Sequence, residues 1–154
     1  MDEKGVSLIE AIIASVIVGI GFVAVYSLST SSTNVLMASI DREKGNMFAN
    51  TIMEDLLTDM ANISSCSDPS TCPYNNMELK NAPSQTDTTP KKKHSKWHSD
   101  SQKKFGNATT NDKRLLTITE TATGSKVFII SLEIWTRDGR SKNIYKRTVN
   151  STTP

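Results

Sequence analysis

Gly5-Val6-Ser7-Leu8-Ile9-Glu10, continued by an apolar run from Ala11 to Leu28, decides the reading of this 154-residue chain. A short charged leader, Met1-Asp2-Glu3-Lys4, ends at the glycine. One carboxylate, Glu10, then stands alone at the head of the apolar run. As a helix, Val6 to Tyr26 would measure about 30 Å at about 1.5 Å per residue, the thickness of a hydrocarbon core. An ionisable side chain at that depth costs roughly 2.5–3.5 kcal/mol on insertion scales, so a chain that carries one has a use for it. A protonated amine placed beside it would offset part of that cost.

Two plainer readings fit less well. A secretory signal has an apolar core of about 7–15 residues followed by a small-residue cleavage site, and this run is longer and lacks an Ala-x-Ala. A simple single-span anchor accounts for the length but for neither Glu10 nor the glycine five residues before it.

The stretch resembles the class III signal and N-terminal helix of type IV pilins and the related pseudopilins. In that family a membrane peptidase cuts after the glycine and methylates the new amine. The helix first anchors the subunit in the membrane and later forms the filament core. On this resemblance Gly5 precedes the cut, and Val6 becomes the first mature and N-methylated residue. Ser7-Leu8-Ile9-Glu10 matches the family run, with Glu10 at the fifth mature position, where the carboxylate draws a subunit into register on the growing filament. Ile17-Val18-Gly19-Ile20-Gly21-Phe22 looks most like the PilV-type minor pilins, and pseudopilins of type II secretion are the nearest rivals. The partners implied are the prepilin peptidase, other pilins and minor pilins through the N-terminal helix, and inner-membrane lipid. The location implied is a single inner-membrane span with a periplasmic C-terminal head, then the pilus surface.

A chain of this length suits one small domain plus an anchor. Hydrophobic residues make up 36% of it and much of that share lies in the anchor, so the rest can bury only a modest core. Removing residues 1–5 deletes Asp2, Glu3 and Lys4 and moves the formal charge from +2 to +3, too little to imply nucleic acid by itself. The two cysteines, Cys66 and Cys72, flank Ser-Asp-Pro-Ser-Thr. A pair across a short turn reads as a disulfide in an oxidising compartment. The alternative, a metal site, lacks the second ligand pair that zinc uses.

The organisation expected along the chain is a leader at 1–5, a transmembrane and filament-core helix at 6–28, and the amphipathic half of the same helix at 29–63. A polar loop region at 64–114 and an antiparallel β-meander at 115–150 follow. Ser27 to Asn34 is Ser/Thr-rich but free of proline, so the helix can continue through it as a weaker segment. Leu36, Ile40, Met47, Phe48, Ile52, Leu56, Met60 and Ile63 then recur at helical spacing, which predicts an apolar stripe and a helix reaching about Met60. Leu79, between Glu78 and Lys80, is too little for a strand. Thr88 to Arg114, with Lys91, Lys92, Lys93, Lys96, Lys103 and Lys104, reads as an exposed, mobile insertion. Beyond it Leu116 alternates with Ile118, and Phe128, Ile130, Leu132 and Ile134 share one face. Asp138-Gly139 marks a hairpin, and a last strand covers about Lys142 to Val149. The fold class is therefore α+β, a long N-terminal helix laid on a small antiparallel sheet.

No constellation of catalytic residues is visible, which points to a structural protein rather than an enzyme, and no cofactor is implied. His94 and His98 have the spacing of ligands on one helix face, but the segment shows no helical pattern and too few ligands, so no metal is expected. Lys91, Lys92, Lys93 and Lys96, interleaved with Trp97, are candidate nucleic-acid contacts, lysines on phosphates and the indole under a base. The preferred reading is a solvated loop whose lysines keep it soluble. The function expected is a minor pilin-like subunit of a type IV pilus. The alternatives are a type II secretion pseudopilin and a DNA-binding receptor that uses the lysine-rich segment.

Overall fold

The computed structural model describes residues 8–84 and 88–151 of the chain. Helix α1, Leu8–Leu57, belongs to both of the two units into which the chain divides, Met1–Ser39 and Ile40–Pro154. In the first unit the described residues are all helical and exposed, including Ile12, Val16, Ile20, Val23 and Phe22. This part of α1 is long and apolar enough to cross a membrane. The Ser/Thr-rich stretch stays helical because its hydroxyls have a local outlet. Thr30 Oγ1 donates to Tyr26 O at 3.0 Å and Thr33 Oγ1 to Ser29 O at 2.9 Å, so neither polar group needs a partner off the helix.

In the second unit α1 turns from exposed to buried. Phe48, Ala49, Ile52, Met53 and Leu56 lie in the core at helical spacing. The helix stops at Leu57, and after Thr58-Asp59 a short α2, Met60–Ser64, and a 3-10 turn, Ser65–Ser67, carry the chain to Cys66. Cys66 and Cys72 form a disulfide that closes the following turn. The expected helical stripe is only partly buried: Phe48, Ile52, Leu56 and Ile63 are in the core, whereas Leu36 (59% exposed), Met47 (57%) and Ile40 (37%) are not. Spacing selects a helix face, but only the extent of the sheet decides how much of that face is covered.

The sheet is antiparallel with the order β1-β2-β3-β4: Met77–Glu78, Lys113–Glu120, Val127–Thr136 and Ser141–Asn150. The three-strand meander expected from alternation is present. A two-residue strand at Met77–Glu78 adds to it, pairing Met77 with Leu116 and Glu78 with Leu115, and ends just before Leu79. Leu116, Ile118, Phe128, Ile130, Leu132 and Ile134 all point to the core side, each at most 1% exposed. Burying each such side chain contributes about 1.5–3 kcal/mol, which makes this face the main source of stability. Arg137, Asp138 and Gly139 all have positive φ in the β3–β4 hairpin, which accounts for the Asp-Gly signal there.

The lysine-rich segment is the main correction. It is not a mobile insertion but a helix, α3, Thr89–Phe105. Pro90 sits in its first turn, and Gly106, at φ 75°, ends it by donating its N–H to Gln102 O at 2.8 Å. Lys103 and Lys104 in the last turn face the negative end of the helix dipole. Its buried side is narrow, Pro90, Trp97 and Ser101, with Phe105 packed edge-on to Phe48 at 5.7 Å between ring centres. Such a stripe is too sparse to register as a periodic pattern.

Gly45 is required by packing. The hydroxyl of Tyr145, on β4, donates to Arg42 O at 3.2 Å, and its ring lies where a side chain at position 45 would project. Gly45→Ala is expected to destabilise the protein by displacing that ring. In a Tyr145→Ala background the same substitution should stabilise by about 1 kcal/mol, the helix-propensity difference alone. Thermal unfolding of the four variants checks the change of sign, and equal effects in both backgrounds would refute the contact.

Candidate functional site

Glu10 stands in the first turn of α1 as described, exposed, with apolar side chains around it: Leu8, Ile9, Ile12 and Ile13. A carboxylate there interacts favourably with the positive end of the helix dipole and leaves its oxygens open to a cation from outside the chain. Gly5 and Val6, the expected processing site and methylated residue, lie outside the described residues.

The lysine-rich segment forms a second polar centre, built between the end of α1 and α3. Trp97 is fully buried, and its indole Nε1 donates to Asp55 Oδ2 at 2.9 Å. Lys96 Nζ reaches the same carboxylate oxygen at 2.9 Å. Lys93 donates to Asp55 O and to Thr58 Oγ1, and lies 3.7 Å from Asp59 Oδ2. The Tyr74 hydroxyl donates to Asp59, and Tyr74 stacks obliquely on Trp97 at 5.9 Å. Burial acts to raise the Asp55 carboxyl. The hydrogen bonds from Lys96 and Trp97 and the charges of Lys96 and Lys93 outweigh it and hold Asp55 below the usual carboxylate range. Asp59 is likewise held low, its burial outweighed by the bonds from Tyr74 and Asn62 and by Lys93.

These contacts change the standing of the nucleic-acid candidates. The indole of Trp97 is packed in the core, so it offers no face to a base. Lys93 and Lys96 are engaged with Asp55 and Asp59, and Lys92 is exposed on the helix surface. The structure brings Lys93, Lys96 and Trp97 together as an anchor that fixes α3 to the end of α1.

Sequence reasoning missed three parts of this arrangement. His94 donates from Nε2 to Glu78 O at 3.0 Å and His98 from Nδ1 to Leu79 O at 2.9 Å, which ties α3 to β1. Burial lowers the His94 imidazole pKa. At the other end Arg114, buried on the core face of β2, donates to Ser101 Oγ at 3.1 Å and to Gly106 O at 2.9 Å, with its guanidinium over the Phe105 ring. Asp55, Asp59 and Arg114 form no motif in the sequence that would mark them as partners of α3. The available signal was the four-residue spacing of Trp97, Ser101 and Phe105 between a Thr-Pro start and a Phe-Gly stop. Among the described residues no group of three or more His, Cys, Asp or Glu side chains converges on a point that could hold a metal.

Residues 1–26 match the family model of the prokaryotic N-terminal methylation motif. No curated protein and no solved structure is significantly similar to the chain. The motif supports a type IV pilin-like protein, implies processing by a prepilin peptidase and assembly with other pilins, and points to a structural role rather than catalysis.

The polar centre predicts how stability depends on pH. Asp55 and Asp59 have folded-state pKa values below their unfolded ones, so their contribution is present above about pH 4 and is lost as pH falls through the folded values. His94 is also depressed in the fold, so protonation of the unfolded chain should begin to lower stability below about pH 6.5. Melting temperatures of the full chain in detergent are expected to fall in these two windows. His94→Gln should remove the upper one, and Asp55→Asn should flatten the lower one while reducing stability at neutral pH. A profile flat from pH 7 to 3 would overturn the assignment.

Proposed function

We propose that the chain is a minor pilin-like subunit of a type IV pilus. Its leader is removed between Gly5 and Val6, Val6 is N-methylated, and the mature helix holds the subunit in the inner membrane before it enters the filament. The observation that carries this reading is the methylation motif continued by an exposed apolar helix with Glu10 as its one carboxylate before Asp41. Apolar side chains exposed along residues 8–28 suit lipid first and neighbouring helices later. Glu10 is then the residue that pairs with the amine of the adjoining subunit, because a buried carboxylate is tolerated when a cation meets it. A head on the periplasmic side is supported by the Cys66–Cys72 disulfide, which persists in oxidising compartments. The Ile17-Val18-Gly19-Ile20-Gly21-Phe22 stretch favours the PilV-type subclass over the pseudopilins of type II secretion, which share the motif.

Mass spectrometry of the envelope-bound protein is expected to find an N-methylated Val6 as the first residue, and recovery of Met1 on assembled subunits would sink the proposal. Glu10→Ala is expected to leave membrane insertion and the melting temperature of the head unchanged, since the head core is built from residues after Ile40. Its incorporation into sheared filaments should drop about tenfold or more, the loss of roughly one charge-assisted contact. Wild-type incorporation of the alanine variant would show that the carboxylate is incidental to assembly.

A further inference from the structure

The side of the sheet away from α1 and α3 carries a groove of about 520 Å³ at the end where β2 begins and β3 ends. Its floor is Trp135, partly exposed on β3, and register places Lys113 of β2 and Lys142 of β4 on either side of it. The ammonium of Lys142 lies 4.4 Å from the centre of the Trp135 ring and that of Lys113 lies 5.2 Å from it. Lys80, just past β1, completes a basic rim.

The walls are two loops fastened to each other. Asp112, buried, accepts from Thr109 N at 3.0 Å and from Gly139 N at 3.3 Å. Asp138 Oδ1 accepts from Thr109 Oγ1 at 3.1 Å and from Asn111 Nδ2 at 2.9 Å. The groove is thus preformed, which lowers the ordering cost of binding. The cations are not used the same way. Lys113 pairs with Glu133 at 2.5 Å, but among the described residues Lys80 and Lys142 meet no carboxylate. A half-exposed indole flanked by Lys142 and Lys80, neither of which meets a carboxylate among the described residues, is matched by an anion that also presents an apolar ring face.

We propose that this groove binds an acidic saccharide. The C–H face of a pyranose ring lies on Trp135. Its carboxylate draws the ammonium of Lys142 off the indole and pairs with it and with Lys80. Its hydroxyls donate to the free oxygens of Asp138 and Glu78. The carboxylates in the wall distinguish this ligand from a nucleic acid: they accept the several hydroxyl hydrogens that a pyranose presents beside its carboxylate. The site belongs to the head and does not depend on assembly of the chain into a filament.

The test titrates the full chain in detergent micelles with oligogalacturonate, its methyl ester, oligosialic acid and a single-stranded oligonucleotide of equal charge, following tryptophan emission and binding heat. The acid form is expected to saturate and to change the emission. Trp135→Ala should abolish the emission change while the signal of buried Trp97 and the melting temperature stay at wild-type values. Lys142→Ala should weaken binding about tenfold, the effect of one charge-assisted contact, and the methyl ester should bind at least that much more weakly. Equal binding of acid and ester, tighter binding of the oligonucleotide, retention of affinity by Trp135→Ala, or absence of saturable binding by both oligogalacturonate and oligosialic acid would each overturn the proposal.

Discussion

The head depends on one packing constraint: the core face of a small sheet must be shielded from water by helix surface. Leu116, Ile118, Phe128, Ile130, Leu132 and Ile134 present a continuous apolar face. Residues Phe48 to Leu56 of α1 cover part of it, and the described remainder is closed by α2, the disulfide turn and α3. A chain this polar outside its anchor has few large apolar residues to spend on a lid. Trp97 and Phe105 therefore carry most of the apolar contribution of a helix that is otherwise largely polar and rich in lysine. That scarcity explains why α3 is fixed by polar contacts at so many points along its length.

Those contacts follow a consistent logic. Each charged group brought under α3 meets either an opposite charge or the end of a helix. Asp55 and Asp59, at the C-terminal end of α1, would be unfavourable there by the helix dipole alone, and Lys93 and Lys96 reverse the sign of the local field. Arg114 lies beside the C-terminal end of α3, where its donors satisfy Gly106 O and the Ser101 hydroxyl. The lysines of α3 thus divide by position, some closing the polar core and others facing solvent. The same division operates on the opposite side of the sheet, where wall carboxylates hold loops together and, among the described residues, Lys80 and Lys142 meet no carboxylate.

The two units meet different physical demands with one helix. Up to Ser39 the exposed side chains of α1 are mainly aliphatic or hydroxyl-bearing, and the hydroxyls of Ser15, Thr30 and Thr33 turn back onto the helix carbonyls. That is the arrangement a lipid or helix-packed environment requires, since it leaves few polar groups to satisfy elsewhere. From Ile40 onward acidic and basic residues alternate with core positions, and Gly45 thins the helix where Tyr145 crosses it. Among the described residues of the first unit, the carboxylate at position 10 is the exception. It is what an assembled partner must compensate on the proposed reading.

Much of this was legible in the residues themselves. The apolar run with Glu10, the β alternation of residues 116–134 and the Asp-Gly hairpin are periodic or local signals, set by helix and strand geometry and by backbone conformation. The Cys66–Cys72 pairing was legible because the turn between them is short. What only the tertiary structure decided concerns residues whose partners are distant in sequence. Trp97 reads as part of a solvated loop until Asp55, 42 positions earlier, is seen to accept its N–H. The strand at Met77–Glu78 exists because the edge of β2 offers it a partner, not because two residues have strand propensity. Arg114 and the groove beside Trp135 depend on register between strands, which sequence alternation alone does not set. Local periodicity determines which face of an element is apolar. Which charges face each other across the fold is an outcome of packing, because electrostatic partners are chosen by proximity in space.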